Sequence, residues 1–169
     1  VGFSRGEWLL EVSGLYRYLV PVLMSPVWRG RGIRRAMLRW TEARMRQVAA
    51  EHPAEARKEF SMWTGPTADS LAALLEGEGY RPARYFNKMT RSLEEALPDF
   101  PMPSGLEMRP VRPEHYRLIW DAAEEAFRDH WGYSPSNGEY YQEWLEDPVI
   151  FKPELWQIAW DIERNEIAG

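Results

Sequence analysis

Apolar and polar residues alternate in short runs at the start of the chain and then change period. Val1, Phe3, Trp8, Leu9 and Leu10 precede a turn at Ser13-Gly14, and Leu15–Met24 follows it, which predicts two neighbouring strands joined by a hairpin. From Arg31 the period lengthens. Ile33, Ala36, Met37, Trp40 and Ala43 fall on one face of a helix running to about Ala50, with Arg35, Arg39 and Arg46 elsewhere, and His52-Pro53 ends it. That apolar face reads as core. Ala56–Thr64 alternates as a strand. Pro66 opens a short helix over Ala68–Glu78 that Gly79 stops, and Arg81–Leu93 reads as a further strand. Pro98, Pro101 and Pro103 mark Glu94–Ser104 as an extended linker.

Beyond the linker the pattern starts again. Gly105–Arg112 reads as a strand. Glu114 to about Trp131 reads as a helix that buries Leu118, Ile119, Ala122, Ala126 and Phe127, with Asp121, Glu124 and Glu125 outside. Gly132–Asn137 is a loop, Gly138–Glu146 a second helix, Leu155–Ile162 a strand, and Asn165–Gly169 the start of another. The predicted order is β-β-α-β-α-β for residues 1–93 and β-α-α-β-β for residues 105–169.

Composition narrows the class. With 169 residues, 44% hydrophobic and 28% charged, the chain has the material for one globular domain with a real core. No apolar run approaches about eighteen residues and no basic-then-apolar leader is present, so the expectation is a cytoplasmic protein with no membrane span. Zero cysteines exclude disulfides, thiolate metal sites and a cysteine nucleophile. His52, His115 and His130 have no zinc-like spacing, so no metal is expected. The net charge of −5 hides an asymmetry: residues 1–97 hold 15 Lys and Arg against 11 Asp and Glu, and residues 98–169 hold 6 against 15. Opposite fields favour docking of the two parts, or an anionic cofactor on one side and a cationic acceptor on the other.

Candidate chemistry centres on Arg29-Gly30-Arg31-Gly32-Ile33-Arg34, between the second strand and the long helix. Strand, glycine loop and helix N-terminus make an anion cradle, because the first-turn N–H groups and the helix dipole favour phosphate there. A basic patch for nucleic acid, or a well-solvated helix start, is compatible with the same residues. The run Ser25-Pro-Val-Trp-Arg-Gly-Arg-Gly-Ile-Arg-Arg-Ala-Met-Leu-Arg-Trp40 resembles the acyl-CoA pyrophosphate loop of the GNAT acetyltransferases, Arg-x-x-Gly-x-(Gly/Ala). Leu74-Leu75-Glu76-Gly77-Glu78-Gly79-Tyr80 resembles the end of that family's next helix, usually Leu-Tyr-Glu-Lys-x-Gly-Phe, at the right distance downstream.

The resemblance implies an α/β fold with a mixed, mostly antiparallel sheet flanked by helices, but the halves stand in permuted order. A GNAT domain runs β-α-α-β-β-β-α-β-α-β with its pyrophosphate loop after the fourth strand. Residues 1–93 resemble the closing half and residues 105–169 the opening half, with 94–104 between them. Joining Asn165–Gly169 to Val1–Arg5 would restore a continuous third strand, as in the middle of a tandem-GNAT protein. Each half alone leaves a raw sheet edge. Circular permutation within one chain would complete it, although the linker's roughly 33 Å barely spans about six strand gaps of about 4.8 Å. A homodimer exchanging halves relieves the linker and is the favoured expectation.

The resemblance further implies acetyl-CoA as co-substrate and an amine as acceptor. Arg29, Gly30, Arg31, Gly32, Ile33 and Arg34 would hold the pyrophosphate, and the strand edge Val22, Leu23 and Met24 would pair with the pantetheine amides. Glu59 is the best-placed carboxylate for a general base, ahead of Glu11 and Tyr16. His130 and Tyr133 lie between the two helices that usually border the acceptor, and so are expected to face substrate; a packed helix end is the plainer account of them. Two departures stand out: Arg34 occupies a position where the family has Gly or Ala, and Leu75 replaces the tyrosine that commonly serves as general acid. They leave open a catalytically weak or inactive acyl-CoA-binding or assembly module. A nucleic-acid binder using the Arg29–Arg46 helix is a third possibility, opposed by the net acidity.

Overall fold

The opening alternation folds as one long hairpin that breaks in its middle. In the computed structural model, which describes residues 2–136 and 138–169, β1 (Gly2–Ser4) pairs with β4 (Val22–Met24), and β2 (Glu7–Leu10) pairs with β3 (Tyr16–Leu19). Val1, at the start of the predicted first strand, and Asn137, at the end of the predicted loop Gly132–Asn137, lie outside the described residues. Ser4 faces Val22 and Glu7 faces Leu19, so the register runs unshifted through the gap. Pro21 falls in that gap opposite Arg5 and has no N–H to give the ladder. Gly14, at φ 79°, makes the turn.

β5 (Lys58–Ser61) adds to β3 in parallel, from Tyr16↔Lys58 to Leu19↔Ser61. The ladder closes with Val20 N–H donating to the Ser61 carbonyl at 3.1 Å. Beyond it β5 leaves, and among the described residues β4 pairs with β1 alone. The even-numbered residues of the hairpin turn toward two helices, α1 (Ile33–Ala49) and α2 (Asp69–Gly77). Tyr18, Val20, Val22, Leu38, Met45 and Leu75 form the core, with Phe60, Leu71 and Tyr80 packed against it. Burying a side chain such as Leu38 fully stabilises by about 1.5–3 kcal/mol.

The inward stripe of α1 differs from the predicted one. Trp40 is 68% exposed, and Ala36 and Ala43 are also outside, while Leu38, Thr41, Glu42 and Met45 are buried. Thr41 and Glu42 conceal this stripe in the sequence because both satisfy their polarity internally. Thr41 Oγ1 donates to the Met37 carbonyl at 3.0 Å, and Glu42 accepts from the Tyr80 hydroxyl at 2.7 Å and from Arg46 at 3.2 Å. The strand predicted over Arg81–Leu93 does not form. Of its apolar residues Phe86 meets the Trp63 ring at 4.6 Å between centroids, while Tyr85, Met89 and Leu93 are exposed and join no described strand.

The chain divides into two units, residues 1–89 and 90–169. In the second, β6 (Leu106–Arg109), β7 (Ile158–Asp161) and β8 (Glu166–Ile167) form an antiparallel sheet in that order. Between β6 and β7 lie α3 (Tyr116–Phe127) and α4 (Gly138–Glu146). Rings hold this unit together: Trp144 stacks on Trp156 at 5.1 Å, and Phe151 meets both edge-on. Leu118 and Phe127, predicted inside, are 51% and 58% exposed, and Ala126 is exposed too. Glu124, predicted outside, is half-buried because the loop after α3 folds back on it. Its carboxylate accepts from the Tyr133 hydroxyl at 2.9 Å and from the Ser136 hydroxyl and N–H at 2.8 and 3.2 Å.

Candidate functional site

Where β5 leaves the ladder, a cavity of about 640 Å³ opens. Even-numbered N–H groups of β3 point toward β5, as those of Tyr16 and Val20 do. Strand alternation therefore turns the N–H groups of Val22 and Met24 to the side that β5 has vacated. Val22, Leu23 and Met24 form one wall. Arg29 and Arg34 contribute from the loop and the first turn of α1, and Thr67, Ala68, Ser70 and Leu71 from the start of α2. Its volume falls within the range of small-ligand sites.

The loop is shaped by two glycines in the left-handed region, Gly30 at φ 75° and Gly32 at φ 76°. A Cβ at either would meet no atom within 4 Å, so the requirement is conformational. Gly32 is the N-cap of α1, and its carbonyl accepts from Ala36 N–H at 3.1 Å. The first N–H groups of α1 have no partner within the helix. Arg31 turns onto the Trp28 ring, 4.8 Å from its centroid.

Arg34 is directed inward. Its Nε is buried and, among the described residues, has no hydrogen-bond partner. Burial, and then the like charge of Arg29, lower its pKa from the ordinary arginine value. Two guanidinium groups, two helix N-termini and the hydroxyls of Ser25, Thr67 and Ser70 thus converge on one cavity, a donor set that suits a multiply charged anion. The cavity therefore gathers Val22, Leu23, Met24, Arg29 and Arg34 from the predicted cofactor residues, while Gly30, Arg31, Gly32 and Ile33 shape the loop behind it. Thr67 and Ser70 were not anticipated. The signal available for them was Pro66, which the sequence places at the start of the second helix and which lies in the turn just before α2 begins at Asp69.

The other predicted residues lie elsewhere. Glu59 is on β5, with Lys58 and Phe60 on either side turned toward α1, and its carboxylate pairs with Arg57 at 3.1 Å and with Arg17 at 4.0 Å. It touches a smaller cavity of about 340 Å³ that shares no residue with the first. Arg17 also pairs with Glu11 at 2.5 Å, both buried, and Tyr16 stacks on His52. His130 and Tyr133 belong to the second unit. His130 is exposed, with Nδ1 3.0 Å from the Trp131 carbonyl, and Tyr133 is committed to Glu124. Leu75 is buried in the core of the first unit, so this position offers no proton donor.

The basic stripe of α1 is largely spent on carboxylates. Arg35 and Arg39 both hold Glu78, at 2.9 and 2.7 Å, and Arg46 holds Glu42. Such pairing removes charge from a nucleic-acid surface. Among the described residues, no group of three or more His, Cys, Asp or Glu side chains is placed to hold a metal ion, and no helix is long and apolar enough to cross a membrane.

No protein-family model matches the chain. Over 122 residues, 72% of its length, it is 31% identical to a mycothiol acetyltransferase of Salinispora tropica. Over 112 residues, 66% of its length, it is 32% identical to a mycothiol acetyltransferase of Salinispora arenicola. These matches cover 35% and 33% of the two proteins, so the chain spans about a third of the length of the curated relatives it matches. The crystal structure of a GCN5-related N-acetyltransferase from Sphaerobacter thermophilus superposes on 97% of this chain and 50% of that one, with a TM-score of 0.69 and 24% identity. That likeness is one of fold.

Proposed function

We propose that the chain belongs to the GNAT acetyltransferase superfamily and supplies the acyl-CoA cleft of an N-acetyltransferase that moves an acetyl group from acetyl-CoA to an amine; the likeness to two mycothiol acetyltransferases and the GNAT-like fold support this. The observation that carries this reading is the buried, unpartnered Nε of Arg34 in a cavity whose other wall is the free edge of β4. A diphosphate meets the first need, and the amides of the pantetheine arm meet the second by pairing with the Val22 and Met24 N–H groups. In the transfer, the amine nitrogen attacks the thioester carbonyl. The C–N bond forms, the C–S bond breaks, the amine proton passes to a base, and the CoA thiolate takes a proton.

Glu59 is our assignment for the base. It stands two residues before β5 leaves the ladder, half exposed, on an element rigidly paired to β3. With Leu75 in the core, the leaving thiolate takes its proton from water. His130 and Tyr133 approach the acceptor only in an assembled domain.

Assembly follows from the order of the halves. Residues 1–93 act as the closing half of one GNAT domain and 105–169 as the opening half of another, as in the middle of a tandem protein. In the isolated chain, a second copy completes each sheet by exchange of halves. Light scattering at twice the chain mass is the expected result, and a monomer at all concentrations would sink the exchange.

Isothermal titration of the 169-residue protein with acetyl-CoA tests the function, with Ser70→Trp as a folded control whose cavity is filled. Saturable binding that is lost in the control supports the cleft, and an amine panel then reads turnover. In that assay Glu59→Gln is expected to lower kcat by about 10²- to 10⁴-fold with acetyl-CoA binding unchanged. Binding without turnover of any amine favours the second reading, an acyl-CoA-binding or assembly module, which the buried Leu75 supports.

A further inference from the structure

Arg34 stands in the first turn of α1 where the superfamily's loop pattern has glycine or alanine. A residue of that kind leaves the backbone alone to hold the anion. Here a guanidinium enters the cavity instead, with its Nε buried and unpartnered. A buried donor without a partner is destabilising, and more so when it carries charge. Among the described residues none offers that Nε a hydrogen bond. The charged group it feels, Arg29, is of like sign and lines the same cavity. Two cations held together without a carboxylate between them suit a ligand with two adjacent negative charges, and a guanidinium fork meets phosphoryl oxygens with planar, directional donors.

Resting on the acyl-CoA reading above, we propose that Arg34 is a specificity-determining residue: with Arg29 it grips the diphosphate of the acyl donor, adding side-chain recognition to the backbone cradle. The diphosphate is the group concerned because Arg34 follows directly on Gly32 and Ile33, which sets its side chain beside the first N–H groups of α1 at the cavity wall. The consequence is selectivity. The chain discriminates more sharply than a backbone-only loop between nucleotide-bearing acyl donors and acyl-pantetheine groups that lack the diphosphate.

The test is isothermal titration of wild type, Arg34→Met and Arg34→Lys with CoA, 3′-dephospho-CoA, pantetheine and inorganic pyrophosphate. Arg34→Met should weaken CoA, 3′-dephospho-CoA and pyrophosphate alike, by about tenfold or more, and leave pantetheine within about twofold. Arg34→Lys should fall between, since it keeps the charge and loses the fork. Without ligand, Arg34→Met should melt higher than wild type, because a buried Nε donor that lacks a partner is gone. Unchanged CoA affinity in Arg34→Met, an equal loss for pantetheine, or a loss for CoA that vanishes with 3′-dephospho-CoA would each overturn the inference while leaving the acyl-donor reading intact. Wild type that binds pyrophosphate but not CoA would overturn both.

Discussion

Residues 1–89 and 90–169 have similar lengths and opposite interiors. Among the described residues the first unit buries eight apolar side chains, from Leu15 to Leu75, and the second buries Trp160 alone. Its α3 has no fully buried residue, and its cohesion comes from ring contacts among Tyr116, Trp144, Phe151 and Trp156. A helix that shows half of Leu118 and Phe127 to solvent has an apolar face without a cover in its own unit. The first unit is thus organised by its own packing and carries the cavity. The second has secondary structure in place and a core still to be supplied.

The strongest way to break that contrast is a matched pair of truncations. Leu38 is fully buried, so Leu38→Ala should cost about 2–5 kcal/mol in urea unfolding, whereas Leu118→Ala, half exposed, should cost under about 1 kcal/mol. Equal losses would mean that the second unit has a core of its own.

Next in size is the buried link between α1 and the chain after α2. Burial, and then the hydrogen bond to Glu42, push the Tyr80 phenol far above its ordinary pKa, so it donates at any working pH. Tyr80→Phe leaves the Glu42 carboxylate with Arg46 as its remaining partner, and the expected cost is about 1–3 kcal/mol. A neutral result in thermal melts would mean that water replaces the hydroxyl.

A pH titration sharpens the comparison from the other side. Burial works to raise the Glu124 pKa, but the hydrogen bonds from Ser136 and Tyr133 together outweigh it and bring it below the ordinary carboxylate value. The sign follows: the stabilisation is complete above the unfolded carboxylate pKa and is lost as pH falls through the depressed folded value. The second unit should therefore loosen in acid, seen in the near-ultraviolet signal of its tryptophans. Glu124→Gln should remove that part of the acid dependence.

Element order was legible because period and punctuation are local. Gly14, Gly32 and Gly79 sit at positive φ where the sequence places a turn, a helix start and a helix stop. The loop Arg29–Arg34 was legible for the same reason. What stayed hidden is set by partners. Whether Arg81–Leu93 forms a strand depends on an edge to pair with, and whether Glu124 faces water depends on a loop that returns twelve residues later to Ser136. Arg34 was legible as a departure from pattern, but its inward direction was not, since a first-turn arginine is free to point either way. Thr67 and Ser70 join the cavity only through the way α2 packs on the core.

Trp40 marks the smallest expected effect and the clearest limit on reading a helix face from its apolar residues. A stripe through Ile33, Ala36, Trp40 and Ala43 is more hydrophobic than one through Leu38, Thr41, Glu42 and Met45, yet the second faces the core. Its polar members are stabilised there by bonds that close within the unit, to Met37, Tyr80 and Arg46, so their burial carries little penalty. Trp40 at 68% exposure then contributes little to folding. Trp40→Ser should change the urea midpoint by no more than about 0.5 kcal/mol equivalent, at the level of an ordinary surface substitution. A loss above about 2 kcal/mol would show that this face is covered in solution. In that event a change in mass by light scattering would identify a second copy as the cover, and the self-sufficiency of the first unit would have to be given up.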